Sequence, residues 1–344
     1  MDNSNIKQVS GLRKKIIITL ISSLLCFFVL LICEFFAAIM VIHYTHNMLE
    51  PFKIPDKKTF IEYVKEIDYN NLKTFDALNS NIKREDEEGS NSGNFPYYKF
   101  RAPVGLEYKK RPVIFLGCSF AYGMGLENPQ TISYKVSKYT YRPVYNYSLP
   151  GWGVQHTLWM LNNSKRFDEI KNPEYAIFIF IDDHFRRSLS AFPFLNYPYS
   201  ESLYVIRGGK VYPECKMKQI LYRSYLYRLL CSKFGTFKYV SPIFQNYRED
   251  RIVAFFKEEE KILKQKYPNI KFVVMTFPDS TNKVESLKQK IENEGICVVD
   301  GFEIFEKETH TEFSHQDEYF LDNGHPNEKM FSLFVPELAK QLNL

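Results

Sequence analysis

Two short segments, 200 residues apart, carry residue types suited to nucleophilic chemistry. Ser119 follows the apolar, β-rich run Val113–Leu116 and sits between Gly117 and the pair Gly123 and Gly125. The run reads as a buried strand that breaks at Gly117. A serine at that point is a candidate nucleophile, because open α/β sheets gather functional groups at the carboxyl ends of their strands. It is also well placed simply to cap a helix. Near the other end, residues 321–327 read Leu-Asp-Asn-Gly-His-Pro-Asn, ahead of a helix-like run from Glu328 to Leu342. Asp322 and His325 are three apart, so the carboxylate can fix the tautomer of the imidazole, which can then act as base on a serine hydroxyl. The same residues also suit a helix N-terminus, with the Asp as cap and Pro326 in the first turn. The pairing of the two segments, rather than either alone, points to chemistry.

These residues need a scaffold, and the pattern from residue 112 onward supplies one. Strand-like and helix-like stretches alternate, which predicts a parallel sheet with covering helices. After the Ser119 turn, Thr131–Thr140 reads as a helix and Val144–Tyr147 as a second strand. Val154–Phe167 is a helix and Ala176–Ile181 a fully apolar third strand. A charged helix over about 248–266 precedes a fourth strand, Lys271–Phe277. A helix over about 281–294 then leads to a fifth strand, Ile296–Val299. Residues 185–246 interrupt this alternation. They are rich in Tyr, Phe and Arg, with the run Phe192–Tyr199 suited to a lid, to a partner-binding surface or to the insertion's own small core. Gly208-Gly209, between Tyr204–Ile206 and Val211-Tyr212, predicts a hairpin.

On these segments the chain resembles the SGNH/GDSL hydrolase superfamily over roughly residues 111–342. Gly117-Cys118-Ser119-Phe120 is similar to its Gly-Asp-Ser nucleophile block, and Asp322-Asn323-Gly324-His325 to its terminal Asp-x-x-His block. Asn146–Gly153 is similar to the block whose glycine amide serves the oxyanion hole. The resemblance implies a three-layer α/β/α fold with a parallel five-stranded sheet. It implies Ser119 as nucleophile, His325 as base, Asp322 as its orienting acid, and the Ser119 and Gly151 amides in the oxyanion hole. Two positions depart from the pattern. Cys118 stands where the family has Asp, and is itself an alternative nucleophile. At the third block, where the family has Gly-x-Asn-Asp, the chain reads Ile181-Asp182-Asp183-His184. By position Asp183 replaces the oxyanion-hole asparagine, and an ionised carboxylate cannot donate a hydrogen bond to an oxyanion. His184 or Arg186 then become substitute donors.

The N-terminus sets the compartment. Ile16–Ile42 is a 27-residue stretch whose one charged residue is Glu34. At 1.5 Å per residue it reaches about 40 Å, enough to cross a hydrocarbon core of about 30 Å with some tilt. Lys7, Arg13, Lys14 and Lys15 precede it, so the positive-inside rule places residues 1–15 in the cytoplasm and residues 45–344 outside. Glu34 fits the outer edge of the membrane or a partner helix. Residues 43–111 read as a stalk. Within it Lys53–Asp68 has near-helical spacing, and residues 83–93 form a polar, charged loop.

The net charge of +5 is modest for 344 residues, and no basic stripe with interleaved aromatics suggests nucleic acid. Of six cysteines, Cys26 and Cys33 lie in the apolar stretch, and Cys215 and Cys231 are a candidate pair in an oxidising compartment. No Cys/His cluster has zinc spacing; His310 and His315 near His325 are a faint metal signal. Neither a cofactor nor a metal is expected. Resemblance and location together imply a membrane-anchored, extracytoplasmic serine esterase removing acyl groups, acetyl first among them, from an envelope glycan or lipid. An O-acyltransferase on a cell-surface polysaccharide uses the same groups. A non-catalytic envelope scaffold with a protein partner is the alternative outside enzymology.

Overall fold

The structure, a computed structural model, describes residues 18–37, 39–40, 100–189, 204–213, 225–279, 284–313 and 318–344. The expected helical spacing at 53–68, the polar loop at 83–93, the aromatic run at 192–199, Cys215 and His315 lie outside the described residues, as does the side chain of Cys231.

Helix α1 is Ile18–Ala37, 20 residues, long and apolar enough to cross a membrane. Its large side chains are exposed on every face. The domain that follows is built on a sheet of five parallel strands, β1 (Val113–Gly117), β2 (Val144–Asn146), β3 (Tyr175–Phe180), β6 (Lys271–Thr276) and β7 (Cys297–Asp300). Their order across the sheet is β2-β1-β3-β6-β7. The chain runs outward from β1 to β2 and then crosses back to the other side of β1. The carboxyl ends of β1 and β3 therefore flank the topological switch point, where ligand crevices form in open sheets. β1 and β3 are buried throughout, because helices cover both faces and every side chain must be apolar.

Helices α2 (Ser119–Tyr122), α3 (Ile132–Thr140), α4 (Val154–Asn163) and α5 (Asp183–Ser188) lie in the first half. The hairpin of β4 (Tyr204–Arg207) and β5 (Lys210–Pro213) follows, turning on Gly208 and Gly209 at φ 55° and 71° as a two-residue hairpin requires. Then come α6 (Tyr225–Val240), α7 (Gln245–Lys266), α8 (Glu285–Asn293), α9 (Gly301–Thr309) and α10 (Glu328–Leu342). Alternate strand residues feed two cores. Val113, Phe115, Ile177 and Met275 pack with α3, α9 and α10, and Ile114, Leu116, Phe178 and Val274 with α4, α7 and α8. The expected three-layer architecture is the one found.

Some boundaries differ. Residues 100–111, expected in the stalk, already belong to the domain: Val104 bridges Val144, and the Arg101 guanidinium donates to the Tyr122, Gly123 and Leu126 carbonyls at 2.6–2.8 Å. Helix α9 was not anticipated. It opens on Asp300, whose carboxylate accepts from the Phe302 and Glu303 amides as an N-cap.

Candidate active site

Ser119 opens α2 directly after β1, with its side chain 3% exposed. The turn depends on Gly117, at φ 134°, where an added Cβ would lie 2.9 Å from the Ile179 carbonyl oxygen of β3. A side chain there would force β1 and β3 apart at the switch point. Gly123, at φ 76°, ends the helix, and its N–H returns to the Ser119 carbonyl. Asn146 at the end of β2 locks the turn from the other side. Its Nδ2 donates to the Ala121 carbonyl at 2.7 Å, and its Oδ1 accepts from the Ser148 amide at 3.2 Å.

The His325 loop meets this turn. The Phe120 and His325 rings are 5.5 Å apart between centroids, and a Cβ on Gly125 would come within 2.8 Å of Leu321 and 3.5 Å of Asn323. The loop is closed by the Leu321 amide donating to the His325 carbonyl at 2.8 Å. Asn327, rather than Asp322, caps α10, its side chain accepting from the Met330 amide. That frees the residues before it for another role.

Asn323, not Asp322, holds the imidazole. Its Oδ1 accepts from the His325 backbone N–H at 3.1 Å and lies 3.1 Å from Nδ1. A backbone N–H can only donate, so that atom is the amide oxygen, and Nδ1 must carry the hydrogen it offers. The lone pair is then on Nε2. Asp322 is exposed, and no hydrogen bond joins it to His325 among the described residues. The geometry thus corrects the acid–histidine pairing expected from the Asp-x-x-His spacing: in a tight turn, the residue two before the histidine reaches the ring. Burial, and then the Arg187 guanidinium, push the His325 pKa down to about 4. The ring is neutral at pH 7.

On the other side of the switch point, α5 carries Asp183 directly after β3. Its carboxylate is engaged with two guanidiniums: Arg186 on Oδ1, and Arg187 on Oδ2, with Nε at 2.9 Å and Nη2 at 2.8 Å. It can only accept, so Asp183 cannot donate to an oxyanion. The substitutes read from the sequence do not replace it. His184 is fully buried against Phe178 and Phe180, with both ring centroids at 5.3 Å, and its Nδ1 accepts from the Ile181 amide. Arg186 is committed to Asp183 and leans over the Tyr239 ring.

Arg187 was missed at the sequence level, where it was one of two adjacent arginines without distinguishing features. It is 7% exposed and donates from Nη1 to the Trp152 carbonyl at 2.7 Å, which ties α5 to the Gly151 turn. Gly153 allows this approach, since a Cβ would sit 3.0 Å from Arg187 Cβ. The Arg187 charge lowers the pKa of His156, His184 and His325, after burial in each case. Gly151 itself is buried at φ 78°. Neither its N–H nor that of Ser119 has a hydrogen-bond partner among the described residues, as expected for Ser119 in the first turn of a helix. Asp279, after β6, was also missed. Its Oδ1 accepts from the Asp182 amide at 3.1 Å, and burial pushes its pKa up to about 7.

Among the described residues no group of three His, Cys, Asp or Glu side chains is placed to hold a metal ion. Cys118 is a free thiol, fully buried at the N-cap of α2, while Ser119 occupies the first helical position.

Similar solved structures include a carbohydrate esterase whose active site displays divergent catalytic and non-catalytic binding functions. It is 12% identical, over 70% of this chain and 67% of that chain, with TM-score 0.41. A member of the lipolytic protein G-D-S-L family from Veillonella parvula is 14% identical over 67% and 97%, TM-score 0.37. The acetylxylan esterase Axe2 from Geobacillus stearothermophilus is 11% identical over 69% and 96%, TM-score 0.41. No family model matches the chain, and no curated protein sequence matches it.

Proposed function

We propose that this chain is a membrane-anchored serine esterase of SGNH type. The observation that carries the reading is the meeting of the two segments. His325 packs on the residue next to Ser119, and Asn323 holds its Nδ1–H, so that Nε2 is left as a base. In the proposed reaction the Ser119 hydroxyl attacks an ester carbonyl while His325 Nε2 takes its proton. The imidazolium then protonates the leaving alkoxide. Water, deprotonated by the same Nε2, hydrolyses the acyl-enzyme and restores Ser119. The Ser119 and Gly151 amides would receive the oxyanion, as suits two N–H groups without a partner among the described residues. Arg187 acts as a positioning residue, holding the Trp152 carbonyl beside Gly151, and its charge adds to burial in lowering the His325 pKa.

Helix α1 supports anchoring, with the basic residues before it inside and the domain on the outer face. On that placement the substrate is an acylated envelope glycan or lipid, acetyl being the smallest such group. The test is hydrolysis of p-nitrophenyl acetate by the full-length chain in detergent, alongside Ser119→Ala. Loss of turnover in the variant supports the reading. Turnover unchanged in Ser119→Ala overturns the nucleophile. A folded wild type with no turnover points to a strict acyltransferase or a scaffold, and acyl transfer to an added acceptor sugar separates those two.

A further inference from the structure

Helix α6 and the turn after it hold most of the apolar surface that the domain leaves exposed. From residue 100 onward, ten large apolar side chains are exposed among the described residues, and six lie between 230 and 247: Leu230, Phe234, Phe237, Val240, Ile243 and Tyr247. Leu230, Phe234 and Phe237 follow the i, i+4, i+7 spacing of one helix face. Tyr239, about 200° around the helix from Phe237, points the other way. Its hydroxyl donates to Asp182 Oδ2 at 2.6 Å, so the polar side of α6 is the side that meets the domain, immediately before the Asp183–Arg187 helix. The stripe therefore faces outward by construction.

Two further observations say what covers it. The first turn of α6 is joined to α1: the Leu226 N–H donates to Glu34 Oε2 at 2.9 Å. Glu34 is the one acidic residue of the apolar stretch and lies 16 residues beyond Ile18, about 24 Å along the helix and close to the outer limit of a hydrocarbon core. α6 thus begins at the level of the membrane boundary. In addition, Lys233 and Lys238 border the stripe, with the Lys238 ammonium over the Phe234 and Tyr247 rings at 4.7 and 4.8 Å. An apolar face edged by lysines is the pattern of a helix lying in a lipid interface with anionic headgroups.

We propose that α6 lies along the outer surface of the bilayer, with Leu230, Phe234, Phe237, Val240 and Ile243 in the headgroup–acyl boundary. The domain is then seated on the membrane rather than held off it, and its active-site helix α5 is one hydrogen bond from the seated element. This rests on the reading of α1 as membrane-spanning.

The experiment uses the full-length chain in vesicles of phosphatidylcholine and phosphatidylglycerol, with and without bromine on the acyl chains. Tryptophan is introduced singly as Phe237→Trp, Ile243→Trp, Phe28→Trp in α1, or Tyr141→Trp at an exposed site before β2. Its emission is read as the difference from the parent, which retains Trp152 and Trp159. The proposal expects bromine to quench the introduced emission at 237 and 243 by about half or more, as at 28, and to leave 141 unchanged. If Phe237→Trp fails to fold, Ile243→Trp, at an 87% exposed position, carries the test. Quenching at 28 but not at 237 and 243 overturns the proposal and leaves the anchor standing. No quenching at 28 overturns both. Emission at 237 that is blue-shifted, insensitive to bromine and dependent on the protein-to-lipid ratio assigns the face to a second copy of the chain, and also overturns it.

Discussion

Asn323→Ala and Asp322→Asn separate two ways of holding the His325 imidazole, the proposed base. Asn323 Oδ1 accepts two hydrogen bonds, from the His325 amide and from Nδ1, each at 3.1 Å. Removing it breaks both. At about 0.5–1.5 kcal/mol per neutral hydrogen bond the loss is about 1–3 kcal/mol, or roughly 5- to 150-fold in kcat/KM if the transition state needs the same geometry. Asp322 is exposed and unattached to the ring, so Asp322→Asn should change kcat/KM by less than about threefold, in line with a surface substitution. The assay is p-nitrophenyl acetate hydrolysis by both full-length variants at pH 7.5, with folding checked by circular dichroism. The opposite ranking would refute the reasoning. A loss on the order of 10⁴ in Asp322→Asn, the scale seen when a triad aspartate is replaced in a well-studied protease, with Asn323→Ala near wild type, would mean that Asp322 orients His325 during turnover.

Three further outcomes follow from the same geometry. The acidic limb of kcat/KM should fall near pH 4, where His325 protonates and can no longer accept the serine proton. Arg187→Gln should move that limb upward, though not to 6.5, because burial is the larger cause of the depression; an unmoved limb would remove Arg187 from the site's electrostatics. Asp279 has a native pKa raised from 3.8 to about 7, so the native state binds more protons than the unfolded chain between these values and loses stability as pH rises through them. Asp279→Asn should therefore stabilise by a few kcal/mol at pH 8 and by little at pH 4, read from denaturant melts at both. Gly117→Ala should cost about 2–5 kcal/mol, from a Cβ driven to 2.9 Å from the Ile179 carbonyl at positive φ, and should lower activity together with stability in the same melts.

The sheet was legible along the chain because parallel strands buried on both faces leave apolar runs that nothing else needs. Val113–Leu116, Ala176–Ile181 and Lys271–Phe277 each contain the core of a strand, and Thr131 caps the helix expected to start at it. The Gly208-Gly209 hairpin was legible for a local reason: only that turn chemistry joins two strands in two residues. Helix α9 was not legible, since its cap, Asp300, is also the end of the Cys297–Asp300 strand.

Serine at a strand end and histidine near the last helix were determined by the sequence, because each is set by local backbone: a glycine-framed turn and a capped helix. Their partners were decided only by the fold. Whether Asp322 or Asn323 faces Nδ1 depends on how a four-residue turn folds back, and spacing along the chain allows both. Which of His184, Arg186 and Arg187 turns inward depends on the 100° step between neighbours on α5 and on what α4 and the Gly151 turn present to each. Arg187 meets the Trp152 carbonyl, 35 residues away, while His184 turns back onto the Phe178 and Phe180 rings of the strand just before it. Hydrogen-bond direction and burial are properties of such meetings, and they exist only once the layers have packed.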